Sequence, residues 1–136
     1  MIIEYGTADD FAVLKVWDKH LSPEQLQKAL VDKRIIILKE GNKLCGWLRY
    51  NFFWDNTPFL NMLEVLEEYR NKKHATELMA FWEKEMQNQG FRLLLTSSQS
   101  DEKAQHFYRK LGYCDAGVLL LDTQASEIFF RKELRK

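Results

Sequence analysis

A mixed α/β domain with a mostly antiparallel sheet is the fold class this sequence predicts, and three observations predict it. Short β-branched or aromatic stretches alternate along the chain with segments whose apolar residues recur at helical spacing. Three strand-like stretches, Arg34–Glu40, Leu44–Trp54 and Phe59–Leu66, follow one another across turn-length gaps, as in an antiparallel meander. The helical stretches are punctuated by cap and stop residues, Thr7 and Ser22 at starts and Gly90 and Gly112 at ends.

Ile2 to Tyr5 reads as a first, edge-forming strand. Thr7-Ala8-Asp9-Asp10 fits a capping box for a helix that carries Phe11, Leu14 and Trp17 and ends near His20. Ser22-Pro23-Glu24-Gln25 is a second start signal, with Leu26, Ala29 and Leu30 as the stripe behind it. Gly41-Asn42 suits a tight hairpin turn and Asp55-Asn56-Thr57-Pro58 the next turn of the meander. Ala75, Leu78, Met79, Trp82 and Met86 then recur at helical spacing up to Gly90. Phe91 to Thr96 is nearly all apolar, as a strand covered on both faces would be. Asp101 or Ser100 caps a helix with the stripe Ala104, Phe107, Tyr108 and Leu111, stopped by Gly112. Tyr113–Leu121 and Ser126–Leu134 close the chain as an antiparallel pair. The expected order is β-α-α-β-β-β-α-β-α-β-β in a single domain spanning residues 1–136.

Composition narrows the function. With 46% hydrophobic residues, including nine Phe and four Trp, the 136-residue chain has the material for one substantial core. A formal net charge of zero gives no global field for nucleic acid, so any anion recognition is local. The N-terminal residues lack the pattern of a secretory signal, and no apolar run approaches membrane-spanning length, so a cytoplasmic protein with no membrane partner is expected. Cys45 and Cys114 lack zinc-type spacing and read as reduced, buried thiols; His20, His74 and His106 show no metal spacing, and no metal is expected.

Between the third meander strand and its helix lies a basic turn, Arg70-Asn71-Lys72-Lys73-His74. Helix N-termini present unpaired N–H groups and a partial positive charge, which favour anions. Cations there oppose the dipole, so an anion bound at the turn would offset the repulsion. A solvated basic loop satisfies the same residues.

Two local patterns and the element order together resemble the GNAT superfamily of acetyl-CoA-dependent N-acetyltransferases. Val65 to Ala75 followed by Leu78 is similar to that family's strand-loop-helix, with Arg70 and Ala75 at the ends of its Arg/Gln-x-x-Gly-x-Gly/Ala core and Lys73 where the family has Gly. Ala104-Gln105-His106-Phe107-Tyr108-Arg109-Lys110-Leu111-Gly112-Tyr113 closely resembles the family's Ala-x-x-Phe/Leu-Tyr-x-x-Leu-Gly-Phe/Tyr segment. The resemblance implies a GNAT-like sheet flanked by helices, acetyl-CoA as cosubstrate and an amine as acceptor. It implies CoA pyrophosphate on the N–H groups of Asn71, Lys72, Lys73, His74 and Ala75, with Arg70 or the lysines adding charge. It also implies pantetheine along the backbone of Glu64, Val65 and Leu66, and Tyr108 as the proton donor to the departing thiolate.

Several readings stay open at this level. By spacing alone Tyr108 belongs to a core stripe. Glu64 interrupts an apolar strand and suits the base that deprotonates the amine, while a water-relayed base or a solvated edge glutamate fits as well. Trp47, Tyr50, Phe52, Phe53, Trp54 and Phe59 form either an acceptor pocket or a packed sheet face. A non-catalytic module of this fold that binds an acyl-CoA or a protein is the alternative to an enzyme. Exposed edge strands allow a homodimer.

Overall fold

A computed structural model describes residues 1–135. The strands are β1 (Ile2–Tyr5), β2 (Ile35–Glu40), β3 (Lys43–Phe53), β4 (Thr57–Val65), β5 (Leu93–Gln99), β6 (Cys114–Leu119) and β7 (Glu127–Glu133). The helices are α1 (Phe11–Trp17), α2 (Pro23–Val31), α3 (His74–Asn88) and α4 (Ala104–Lys110). The expected element order is the observed one. The strands form one sheet in the order β1-β2-β3-β4-β5-β7-β6. The pairs β1/β2, β2/β3, β5/β7 and β6/β7 are antiparallel, while β4 and β5 run parallel at Phe59↔Leu95 and Leu60↔Thr96. Tertiary contacts gather into two units: Met1–Tyr50 with Met62–Trp82, and Asn51–Asn61 with the chain from Glu83 onward.

In the first unit, α1 and α2 span only seven and nine residues, too short to persist on propensity alone. Tertiary burial holds them. Leu14, Leu26, Ala29 and Leu30 pack in one cluster with Ile35, Ile37, Leu44 and Trp47. Full burial of one aliphatic side chain is worth about 1.5–3 kcal/mol, so a few such contacts outweigh weak helix propensity. Ile36 and Leu38 alternate onto the opposite face of β2 and are fully buried as well.

Both predicted capping boxes are present, at Thr7/Asp10 and Ser22/Gln25. The first one opens a 3-10 turn, Ala8–Asp10, before α1 begins. The Asp10 carboxylate accepts from the Thr7 N–H at 2.8 Å and is paired with Lys39 Nζ at 2.8 Å, which pins that tight turn to β2. The helix stops at Trp17 rather than near His20. Asp18 leaves helical geometry at ψ 87° because its carboxylate is held by Arg49.

In the second unit, β5 pairs with β7 along its whole length. Its burial alternates, with Leu94, Thr96 and Ser98 buried and the residues between them only partly so. The expectation of a strand covered on both faces is therefore corrected. Leu93 and Leu95 line an apolar cavity of about 310 Å³ with Phe53, Phe59 and Phe129 instead of lying under a helix. Helix α4 begins at Ala104, later than Ser100 or Asp101 would start it. Local side-chain bonds compete there: the Gln105 amide donates to the Ser100 and Glu102 carbonyls at 2.8 Å each. Cys45 is buried as expected, whereas Cys114 is exposed because β6 is an outer strand with all six residues open to solvent. Among the described residues, no helix is long and apolar enough to cross a membrane.

Candidate functional site

The basic turn lies where the sequence places it, directly before α3, and Lys73 O accepts the first helical N–H, from Glu77, at 3.0 Å. Asn71 and Lys73 are both left-handed, at φ 62° and 65°. This conformation costs a non-glycine residue energy. Lys73 thus takes the backbone shape that glycine would favour while carrying a side chain. Asn71, Lys72 and Lys73 are exposed, and His74 and Ala75 are half-buried. His74 Nδ1 lies 2.9 Å from Glu77 Oε1, so this ring is engaged within the first turn of its own helix. The N–H groups at the head of a 15-residue helix, with two exposed ammonium groups nearby, make a donor set suited to a pyrophosphate.

Arg70 is placed differently from what the motif implies. Its Nε donates to the Val65 carbonyl at 2.8 Å, and its Nη2 donates to Glu64 Oε1 at 2.7 Å. The guanidinium therefore folds back onto β4, where it clamps the end of the strand and neutralises Glu64. Leu66 N–H is used by the Cys45 carbonyl at 2.8 Å, so that donor is spent on β3. Beyond the strand, in the 3-10 turn Glu67–Tyr69, Tyr69 is a buried anchor, its hydroxyl 3.2 Å from Glu40 Oε1. The Cys45 thiol, burial and the Glu40 carboxylate together push its phenol pKa up.

Glu64 opens into a cleft of about 550 Å³ within the first unit. Met62 in β4 and Leu66 just past its end line the cleft beside Glu64, whereas Leu60, on the same alternation, is not on its lining. The opposite wall is aromatic. Trp17 stacks on Trp47 with ring centroids 5.9 Å apart and planes at 29°. Below them, Arg49 grips Asp18 through two hydrogen bonds of 2.7 and 3.2 Å, and Trp47 Nε1 donates to the same carboxylate at 3.3 Å. Both charged side chains are almost fully buried, at 0% and 7% exposure. A buried, fully paired triad of this kind fixes the indole plane.

The predicted aromatic cluster is divided. Of its six members, Trp47 alone lines this cleft; Phe53, Trp54 and Phe59 line the separate apolar cavity in the second unit. Tyr50 packs on Trp82 and Phe52 on Phe91. Sequence reading missed Trp17 as a cleft residue, since its helical spacing assigned it to a stripe. The signal was the adjacent Asp18, a carboxylate at a helix end opposite the Trp47-x-Arg49 pair of a strand.

Tyr108 lies in the second unit, on α4, with 7% of its surface exposed. Its ring packs against Phe107, Tyr113 and Phe130 at centroid distances of 5.5, 5.9 and 6.0 Å. Burial pushes its phenol pKa up, the Thr96 hydroxyl pulls it back and Glu102 adds a smaller upward push. The hydroxyl therefore keeps its proton throughout the neutral range, as a proton donor must. His106 is on the exposed side of the same helix, as expected.

Residues 5–113 match the sequence pattern of the Acetyltransferase (GNAT) family. Among solved structures, a GNAT-family acetyltransferase from Bacillus cereus is 23% identical, with 98% of each chain covered and a TM-score of 0.78. Ard1 from Thermoplasma volcanium superposes at a TM-score of 0.84 with 11% identity, over 99% of this chain and 98% of that one. An aminoglycoside 6′-N-acetyltransferase complexed with coenzyme A gives 0.79 at 17% identity, over 98% and 97%. No curated protein matches the chain.

Proposed function

Because the chain belongs to the GNAT acetyltransferase family, we propose that it moves an acetyl group from acetyl-CoA to a primary amine, by direct attack of the amine in a ternary complex. The observation that carries this reading is the first unit's combination of an anion-suited helix N-terminus with a cleft holding a carboxylate. The N–H groups of Asn71 to Ala75 hold the pyrophosphate, and Lys72 and Lys73 add charge-assisted contacts. Val65 offers backbone groups to the pantetheine amides and a strand N–H to the developing oxyanion. Leu66 contributes side-chain contact in this scheme, its N–H being held by Cys45.

Acetyl-CoA supplies the thioester carbonyl that the amine attacks. Glu64 takes the proton from the bound ammonium ion, directly or through water, which frees the nitrogen lone pair. Attack forms the carbon–nitrogen bond, the carbon–sulfur bond then breaks, Tyr108 gives its proton to the departing thiolate, and the second proton of the attacking nitrogen returns through water to the Tyr108 phenolate. Arg70 moves from Glu64 toward phosphate when the cofactor is bound, which releases the carboxylate for this role. A binding module without turnover is the second reading, favoured by the engagement of Glu64 in the Arg70 pair.

Thermal denaturation with CoA and with ATP tests the cofactor assignment. CoA at about one hundred times its Kd adds about 2.7 kcal/mol of stability by mass action. Equal responses to the two ligands, or no response to CoA, sink the assignment. Thiol release from acetyl-CoA over an amine panel then separates enzyme from module. Tyr108→Phe lowers turnover by roughly a hundredfold with CoA affinity unchanged; unchanged turnover rules out the proton-donor role.

A further inference from the structure

Resting on the acetyl-transfer reading, we infer that the acceptor is a primary monoamine with an apolar or aromatic body, and that polycationic amines are disfavoured. The cleft beside Glu64 has a volume of about 550 Å³, within the range of small-molecule sites. Its walls are mostly apolar. Trp17 and Val16 come from α1, Met62 and Leu66 from the β4 segment, and Trp47 lies behind Trp17 in the stack. The indole of Trp47 is locked by the buried Asp18–Arg49 pair, so this wall is preorganised and loses little conformational entropy when a flat or branched apolar group lies against it. An indole face also attracts an ammonium group that passes over it.

Charge in the cleft argues for a single amine. Glu64 is the carboxylate on the lining, and with Arg70 turned to phosphate it serves the one ammonium it deprotonates. Asp18 is fully committed to Arg49 and Trp47. The remaining titratable side chains on the lining are Lys19 and His20, both exposed. A second ammonium on the acceptor would therefore meet a lysine and find no carboxylate. Polyamines and aminoglycosides need several acidic partners to repay desolvation of several charges, and this cleft offers one. An apolar body, by contrast, gains from every wall.

The test compares phenethylamine with spermidine and kanamycin as acceptors in thiol-release kinetics. Phenethylamine is expected to exceed both by at least tenfold in kcat/KM. Equal or higher values for either polycation overturn the inference while leaving acetyl transfer intact. Trp17→Ala is expected to raise KM for phenethylamine at least tenfold with Kd for CoA unchanged, and an unchanged KM overturns the inference. Lys19→Glu, at an exposed position, covers the case in which the tryptophan variant fails to fold: it should move the phenethylamine-to-spermidine ratio at least tenfold toward spermidine, and an unmoved ratio overturns the charge argument. If no amine is turned over, equilibrium dialysis of phenethylamine in the presence of CoA decides separately. Saturable binding that spermidine does not displace supports the cleft assignment while transfer fails, and no binding overturns it.

Discussion

Lys73→Gly should stabilise this protein, an unusual direction for a glycine substitution. Lys73 sits at φ 65° as the last residue before α3. A left-handed residue with a Cβ carries a cost of about 1–2 kcal/mol, which glycine removes. Glycine in turn loses more backbone entropy on folding, about 0.5–1 kcal/mol. The ammonium next to the positive end of the helix dipole costs about 0.3–1 kcal/mol, which any neutral residue relieves. The balance favours glycine by about 1 kcal/mol, or about 3 °C in Tm for a domain of this size. Lys73→Ala separates the two causes, since it removes the charge and keeps the conformational cost. Differential scanning fluorimetry at low ionic strength should rank glycine above alanine above wild type. Alanine equal to or above glycine would show that the left-handed backbone costs no more than the entropy glycine loses here, and the reasoning would fail.

Other perturbations test the supports of the cleft and the core. Asp18→Ala leaves Arg49 charged, buried and unpaired, so urea titration should show a loss of about 3–5 kcal/mol; a loss below 1 kcal/mol means the pair is not buried in solution. Adding Arg49→Met to that variant should recover part of the loss. Gly46→Ala would place a Cβ 2.8 Å from the Glu64 carbonyl and 3.3 Å from Val65 Cα, backbone atoms that cannot rotate away. Roughly 1–3 kcal/mol of destabilisation and lowered turnover are expected, and an unaffected variant refutes the tight backing of that segment. Alkaline stability follows from the tyrosines. Burial, with Glu83 beside it, pushes the Tyr113 phenol far up, and burial raises Tyr108. Unfolded tyrosines ionise near pH 10, so the folded state holds more protons above that value. The stability these groups give is complete below about pH 10 and declines as pH rises beyond it. Tyr113→Phe should make that decline shallower, and an unchanged slope removes Tyr113 from the account.

The fold was legible because its determinants are local. Capping boxes at Thr7 and Ser22, stop glycines at positions 90 and 112 and the run of turn-separated strands all act within a few residues, and each appears in the structure. Two of the errors occur where a distant partner competes. Asp18 ends α1 early because Arg49, on another strand, takes its carboxylate. Phe53, Trp54 and Phe59 leave the cleft because they line a second cavity with β5 and β7 residues. The same distinction divides the candidate site. The anion-suited turn was readable from charge placed beside a helix start, a local pattern. That Arg70 would turn away from the turn and clamp Glu64 was not, because a guanidinium between an anion site and a carboxylate six residues away has two comparable partners. Sequence lists both partners and leaves the choice to geometry: the Val65 carbonyl supplies a second acceptor at 2.8 Å, and two short bonds on the strand side hold Arg70 there. Under the proposed acetyl transfer, phosphate must offer Arg70 at least as much as this pair does, which would link cofactor and acceptor affinities at the pair.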